Sequence, residues 1–443
     1  MDRLTAEDRL TLWPDAIWPQ DIGALLVLDG AGLVAPGGDF RADAARAAVV
    51  ARLHRLPRLR QVIQTPRRGM GGPLWVDAPA FDLDDHVHVA AVPAPGGEAQ
   101  VLAEVERIRH HPLDHTRPLW ELWFLTGLAD GRVGMFLRLH HVVSDGIAGL
   151  ASLGELLDTA PDATVEPPPP WTPAPPPAAG TLARDALRTW SERVVHAIGS
   201  VRRPRSLARR ATTAARGLGE LVGAPPGPRT SLGGVIGPDR RLACVRAELG
   251  RVKELAHAHG ATVNDVLLAA IAGGLRDLLR SRGATVDHLT VPVFVPVSLR
   301  RRGSDGPTGN LISQMVVPLP LGSDDPGYRL RAIAAETARR KADPHPSLGT
   351  MFGGRLLGGL MLRFVIRQQI NVTTADLPGP PMPLWFAGAR VREMFPLLNL
   401  LGNVTLGVGA LSYAGGFDVM VVADADIHPD LDVFAAALGS RLT

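Results

Sequence analysis

His140-His141-Val142-Val143-Ser144-Asp145-Gly146 follows directly on the apolar run Val133-Gly134-Met135-Phe136-Leu137-Arg138-Leu139, and the reading of this junction decides the fold. The apolar run has the length and composition of a buried strand. Alternate residues of a strand face opposite sides, so Val133, Met135, Leu137, Leu139 and His141 share one face, and Gly134, Phe136, Arg138 and His140 share the other. The face that leads to His141 is wholly apolar up to that point, which puts the imidazole at the rim of a dry core. Beyond the pair, Asp145-Gly146 opens a helix in which Ile147, Leu150, Leu153, Leu156 and Leu157 recur at helical spacing. A strand end on a short loop before a helix start is where many α/β proteins carry their chemistry.

The residue types leave four readings of the pair. The first is a loop histidine that satisfies backbone groups. The second is a metal site, but zinc wants three or four His, Cys or carboxylate ligands. Adjacent histidines on opposite strand faces converge poorly on one ion, and no other His/Cys cluster is evident, so no metal is expected. A Ser-centred hydrolase is the third; Ser144 lies inside the loop, with no Gly-x-Ser-x-Gly elbow at a strand–helix turn. The fourth is a general-base histidine, since an ordinary imidazole titrates near pH ~6.5 and accepts a hydroxyl proton when neutral.

The whole pattern His-His-x-x-x-Asp-Gly after a strand resembles the signature of the CoA-dependent acyltransferase superfamily. That superfamily includes chloramphenicol acetyltransferase, peptide-synthetase condensation domains and wax ester synthase/diacylglycerol acyltransferases. The resemblance implies that His141 is the general base beside His140. It implies that Asp145 folds the loop and pairs with an arginine, and that Gly146 leaves room for substrate. Arg117-Pro118-Leu119-Trp120-Glu121 and Val263-Asn264-Asp265-Val266-Leu267-Leu268-Ala269 look like motifs of the bacterial wax ester synthase/diacylglycerol acyltransferase family. Gly309-Asn310-Leu311 and Leu411-Ser412-Tyr413-Ala414-Gly415-Gly416 are further matches, in the family's order, so the likeness covers essentially the whole chain. It implies an α/β fold of two chloramphenicol-acetyltransferase-like domains, each a mixed β-sheet packed with helices, with the active site at their interface.

Each motif also has a local reading. Pro118-Leu119-Trp120 is either a packed bend that carries an aromatic into the core or part of the substrate lining. Asn264-Asp265, with Thr262 before it, is an N-terminal capping pair of a long helix, and the resemblance places the same two side chains at the catalytic interface. Arg300-Arg301-Arg302 either form a solvated turn or hold the phosphates of coenzyme A, which suit the planar guanidinium fork. Asp376-Leu377-Pro378-Gly379-Pro380 departs from the family, whose loop usually reads Asn-Val-Pro-Gly-Pro. If that loop lines the acceptor site, the carboxylate of Asp376 alters acceptor choice.

At 443 residues the chain is long enough for two sizeable cores, and 46% hydrophobic content is ordinary for a globular protein. The expected division is an acyltransferase domain over 1–160, a Pro-rich crossover with basic linker helices over 161–228, and a second acyltransferase domain over 229–443. The crossover opens with Pro167 to Pro170, Trp171 and Pro175 to Pro177; twenty extended residues span up to ~60 Å at ~3.1 Å each. Strands are expected at 23–30, 75–92, 242–249 and 289–298, and helices at 40–60, Glu98–Arg109, 181–222, 250–259 and from Asn264. The arginines of 181–222, among them Arg184, Arg188 and Arg193, with Trp190, Val194 and Val195 between, fit a solvated linker helix or one that rests on anionic lipid. No helix-turn-helix, zinc finger or basic–aromatic sheet pattern supports nucleic-acid binding.

The formal charge is +3, and lysine occurs only at Lys253 and Lys341. Cys244 is the only cysteine, which excludes an intrachain disulfide and suits a reducing cytoplasm. The first residues show no basic stretch followed by an apolar core, so no signal peptide is expected. No uncharged apolar run reaches the ~20 residues of a spanning helix. The expected location is therefore cytoplasmic, peripheral to the inner membrane face or to lipid droplets.

The expected reaction moves an acyl group from long-chain acyl-CoA, a substrate rather than a cofactor, to diacylglycerol or a fatty alcohol, making triacylglycerol or wax ester. His141 takes the hydroxyl proton and returns it to the CoA thiolate. Asn264 and backbone N–H groups are the rival oxyanion donors. Three other readings are a condensation-type enzyme using carrier-protein thioesters, a polyketide-associated acyltransferase, and a non-catalytic lipid-binding or lipid-droplet protein. A homodimer is compatible with all of them.

Overall fold

The computed structural model describes residues 1–144, 146–163, 167–201, 227–298, 312–342 and 369–443. In chain order the elements are α1 (Ala6–Leu12), β1 (Asp21–Leu28), α2 (Ala42–Arg52), β2 (Gln61–Gln64), β3 (Leu74–Asp77), β4 (Val87–Ala91), α3 (Glu98–Arg109), β5 (Trp120–Thr126), β6 (Val133–His140), α4 (Gly146–Glu155) and α5 (Ala179–Val201). There follow β7 (Arg240–Glu248), α6 (Leu249–Ala258), α7 (Val263–Ser281), β8 (Thr290–Ser298), β9 (Ile312–Pro320), α8 (Pro326–Ala342), β10 (Val372–Pro378), β11 (Trp385–Phe386), β12 (Ala389–Leu397), β13 (Leu406–Tyr413), β14 (Gly416–Asp424) and α9 (Leu431–Gly439).

β6 is buried at all eight positions, as a continuous apolar run requires when both sheet faces are covered. Val133, Met135, Leu137 and Leu139 enter one core, and Phe136 enters another. The first sheet runs β11-β12-β1-β6-β5-β4 and the second β7-β14-β13-β10-β8-β9. In the first sheet β4 and β5 are parallel, with α3 in the crossover between them. In the second, β10 lies parallel to β13 and β8.

Three cores order the layers. Ala45 and Val49 of α2, Leu153 of α4 and Leu156 just beyond it pack on one face of the first sheet. On its other face, Leu25, Phe136 and Phe395 meet Val101 and Val105 of α3 and Met420 and Val422 of β14. This core joins the two sheets. Beyond the second sheet, α6 to α9 bury Val252, Ile271, Ile333 and Phe434 against its strands. This is the mixed α/β, two-sheet architecture expected from the sequence.

β12 and β11 lie late in the chain yet pair into the first sheet, Ala24 opposite Pro396 and Leu26 opposite Met394. Close approach at the crossing needs a glycine: a Cβ on Gly409 of β13 would lie 2.7 Å from the Pro396 carbonyl oxygen.

Two expected elements differ. The helix expected over 40–60 ends at Arg52 and continues as the tight turns Leu53–Arg55 and Pro57–Arg60. Pro57 is the cause: it disfavours helical backbone at Leu56, which sits at φ −121°, ψ 64°. The strand expected over 75–92 is two strands, Leu74–Asp77 and Val87–Ala91, parted by a turn at Leu83–Asp85. Of the helix expected over 181–222, residues 202–222 lie outside the described residues.

Candidate active site

The histidine pair sits where β6 leaves its ladder. His140 lies opposite Asp21 of β1, and its N–H donates to the Leu119 carbonyl at 2.9 Å. The next amide, His141 N–H, donates to the Gln20 carbonyl at 2.8 Å. The chain then turns over the His140 ring: Val142 N–H donates to His140 Nδ1 at 3.0 Å, and Val143 N–H donates to the His140 carbonyl at 2.8 Å. Four successive amides are thus partnered, as a buried loop demands. His141 itself is partly exposed, with its Nδ1 buried.

The two histidines have different surroundings. His140 is 1% exposed, and its Nε2 lies 3.2 Å from Asp15 Oδ1. Asp15 Oδ2 lies 2.7 Å from His115 Nε2, and Gln20 N–H donates to Asp15 Oδ1 at 2.6 Å. Burial opposes the Asp15 charge, but hydrogen bonds from His115 and His140 outweigh it and hold the carboxyl well below the usual carboxylate range. The same bond raises the His115 pKa, against burial. Gln20 also ties the loop to the far end of the chain, because its Oε1 accepts from Asn399 Nδ2 at 2.7 Å across 379 positions.

Pro118, Leu119 and Trp120 are all buried. Trp120 Nε1–H donates to the Leu59 carbonyl at 2.7 Å, and the indole stacks on His86 with centroids 4.7 Å apart. Leu119 packs with Trp75, Leu113 and Val142, so it supports the histidine turn from beneath. These contacts are those of the packed bend. They leave Trp120 1% exposed.

The family model described as the wax ester synthase/diacylglycerol acyltransferase catalytic domain matches residues 4–267, and that of the WS/DGAT C-terminal domain matches 308–443. The chain belongs to this family. A Mycobacterium tuberculosis (strain CDC 1551 / Oshkosh) protein with the provisional name diacylglycerol O-acyltransferase is 32% identical over 471 residues, covering 100% of this chain and 90% of the relative. The wax ester synthase/diacylglycerol acyltransferase from Marinobacter aquaeolei VT8 has the same fold, with a TM-score of 0.68 at 23% identity over 100% of this chain and 98% of that one. The first condensation domain of the calcium-dependent antibiotic synthetase is similar in fold, with a TM-score of 0.62 at 18% identity over 100% and 96% of the two chains.

Other motif residues of this family member fall into three groups. Asp265 caps α7: its Oδ2 accepts from Thr262 N–H and Oγ1–H, and its Oδ1 accepts from Thr337 Oγ1 at 2.6 Å. Oδ2 thus closes the cap of α7, and Oδ1 joins α7 to α8. Asn264 stands beside it, partly buried in the first turn. Asp145, Arg300 and Arg301 lie outside the described residues, and Gly146 begins α4.

Asp376 lies near the end of β10, in register with Ala410 of β13. Burial pushes its carboxyl up to about 6, with Lys341 pulling the other way. A folded-state value above the unfolded one favours the neutral form. Its stabilising effect is present below pH ~4 and is lost as pH rises to about 6. Asp376→Asn, which restores the family's usual amide, is therefore expected to leave stability unchanged near pH 4 and to raise it by about 1–3 kcal/mol at pH 7. Urea unfolding at the two pH values checks this.

The sequence alone did not single out Asp15, Gln20, His115 or Asn399. No local spacing marks them, because each meets the histidine turn only through the tertiary fold.

Proposed function

We propose that this family member catalyses direct acyl transfer from a long-chain acyl-CoA to the hydroxyl of diacylglycerol or a long-chain alcohol, with His141 as general base. The observation that carries the reading is the His141 loop: a partly exposed histidine on a turn in which the amides of His140 to Val143 are all held. The base takes the proton as the hydroxyl oxygen attacks the thioester carbonyl, then gives it to the departing CoA sulfur. General-base help supplies about 10²–10⁴-fold. Alignment of the two substrates must supply at least as much again. Asn264 and backbone amides are the proposed donors to the developing oxyanion. Arg300 and Arg301 are the proposed ligands of the CoA phosphates.

Acceptor and membrane belong to the same proposal. Leu187, Trp190 and Val195 of α5 are each more than 60% exposed, with Arg184 and Arg188 on the same helix. Such a face suits the surface of an anionic membrane or lipid droplet, where both acceptors dissolve. No described helix is long and apolar enough to cross a membrane.

The test is product identification from labelled palmitoyl-CoA with 1-hexadecanol and with dipalmitoylglycerol. Wax ester or triacylglycerol is the expected product, and their ratio assigns the acceptor class. No ester from either acceptor contradicts the reading, and transfer only from a carrier-protein thioester moves the chain to the condensation class.

A further inference from the structure

We propose that Asp15 is the positioning residue of the base, acting through His140 and Gln20, and that the Asp15/His115/His140 cluster is a clamp rather than a metal centre. The proposal rests on His141 being the base. One ligand atom from each of the three residues lies within 4.8 Å of the others, a spacing that fits a cation. The protons decide against one. Val142 N–H donates to His140 Nδ1, so Nδ1 carries no hydrogen and a neutral His140 keeps its proton on Nε2. That nitrogen faces Asp15 at 3.2 Å. A metal-bound imidazole has the reverse arrangement, with its second nitrogen donating a hydrogen outward. His140 therefore presents a donor to the centre of the cluster, not a lone pair.

The same bonds give the cluster a purpose. The Asp15 carboxylate lies 3.2 Å from His140 Nε2, and this charged contact holds the ring in the orientation in which Nδ1 accepts from Val142 N–H. The carboxylate also receives Gln20 N–H, and the Gln20 carbonyl in turn holds His141 N–H. One carboxylate thus governs the amides of His141 and of the residue after it. His115, half exposed, adds the bond that keeps Asp15 ionised. Asn399, from the loop between β12 and β13, completes Gln20 and carries the clamp to the second half of the chain. A shift of about 1 Å in a reacting group costs on the order of 10²-fold in rate, which is the leverage such a clamp has.

The experiment pairs kinetics with a substrate-free spectrum. In Asp15→Leu, kcat for acyl transfer is expected to fall about 10- to 100-fold with KM for palmitoyl-CoA held within about 3-fold, and Asp15→Asn, which keeps an oxygen acceptor, to recover most of the loss. Long-range ¹H–¹⁵N spectra of histidine-labelled protein should show His140 as the Nε2–H tautomer in the wild type and in Asp15→Asn, and as a mixture in Asp15→Leu. Should Asp15→Leu fail to fold, His140→Asn, which retains an acceptor near the Nδ1 position, should be at least about 10-fold more active than His140→Phe. Wild-type kcat in Asp15→Leu, a His140 proton on Nδ1, or one equivalent of Zn²⁺ that binds and removes the Nε2–H signal would each overturn the clamp. The spectrum needs no substrate, so a protein that transfers no acyl group yet shows the Nε2–H tautomer refutes the proposed reaction alone.

Discussion

Replacing His141 with alanine is expected to lower acyl transfer by at least about 10²-fold, about 3 kcal/mol of transition-state stabilisation. The fold should survive, because the described backbone bond of His141 uses its N–H, donated to the Gln20 carbonyl, and alanine keeps that donor. The loss should therefore appear in kcat, with KM for palmitoyl-CoA and the melting temperature near wild type. Initial-rate thiol release, measured beside a melting curve, separates these quantities. Undiminished turnover in His141→Ala would remove the residue from the chemistry.

Trp120→Ala should have the largest effect on stability. The indole is among the largest fully buried side chains, and its loss is expected to cost about 3–5 kcal/mol. It also leaves the Leu59 carbonyl without its donor and His86 without its stacking partner. Trp120→Phe keeps most of the volume and loses the N–H, so about 1–3 kcal/mol is expected from the unpaired carbonyl. Urea unfolding measures both. Wild-type stability in Trp120→Ala, combined with a raised KM for acyl-CoA, would place Trp120 in the substrate lining.

What could be read from the sequence was local. The buried strand Val133–His140, the helix Glu98–Arg109 and the Thr262 cap of α7 all follow from patterns within a few residues, and the structure has each of them. The capping reading of Asp265 was legible for the same reason, since Thr262 and Asp265 stand at the capping-box spacing. Pro57 was visible too, and its effect on Leu56 is what shortens α2.

The rest was not legible because it depends on chain ends meeting. β12 pairs with β1, and Asn399 reaches Gln20, across most of the sequence; no periodicity encodes such a contact. The histidine pair shows the limit most clearly. Alternation sets His140 and His141 on opposite faces, but β6 ends at His140, and only the fold reveals that His140 faces Asp15 while its other nitrogen holds the turn.

The most direct measurement is the initial rate of thiol release as palmitoyl-CoA and the acceptor alcohol are varied together. Direct transfer requires both substrates on the protein at once, so the double-reciprocal lines should intersect, with negligible release when acceptor is absent. Parallel lines, or a burst of thiol before any acceptor is added, would reveal an acyl-enzyme and contradict direct transfer assisted by His141.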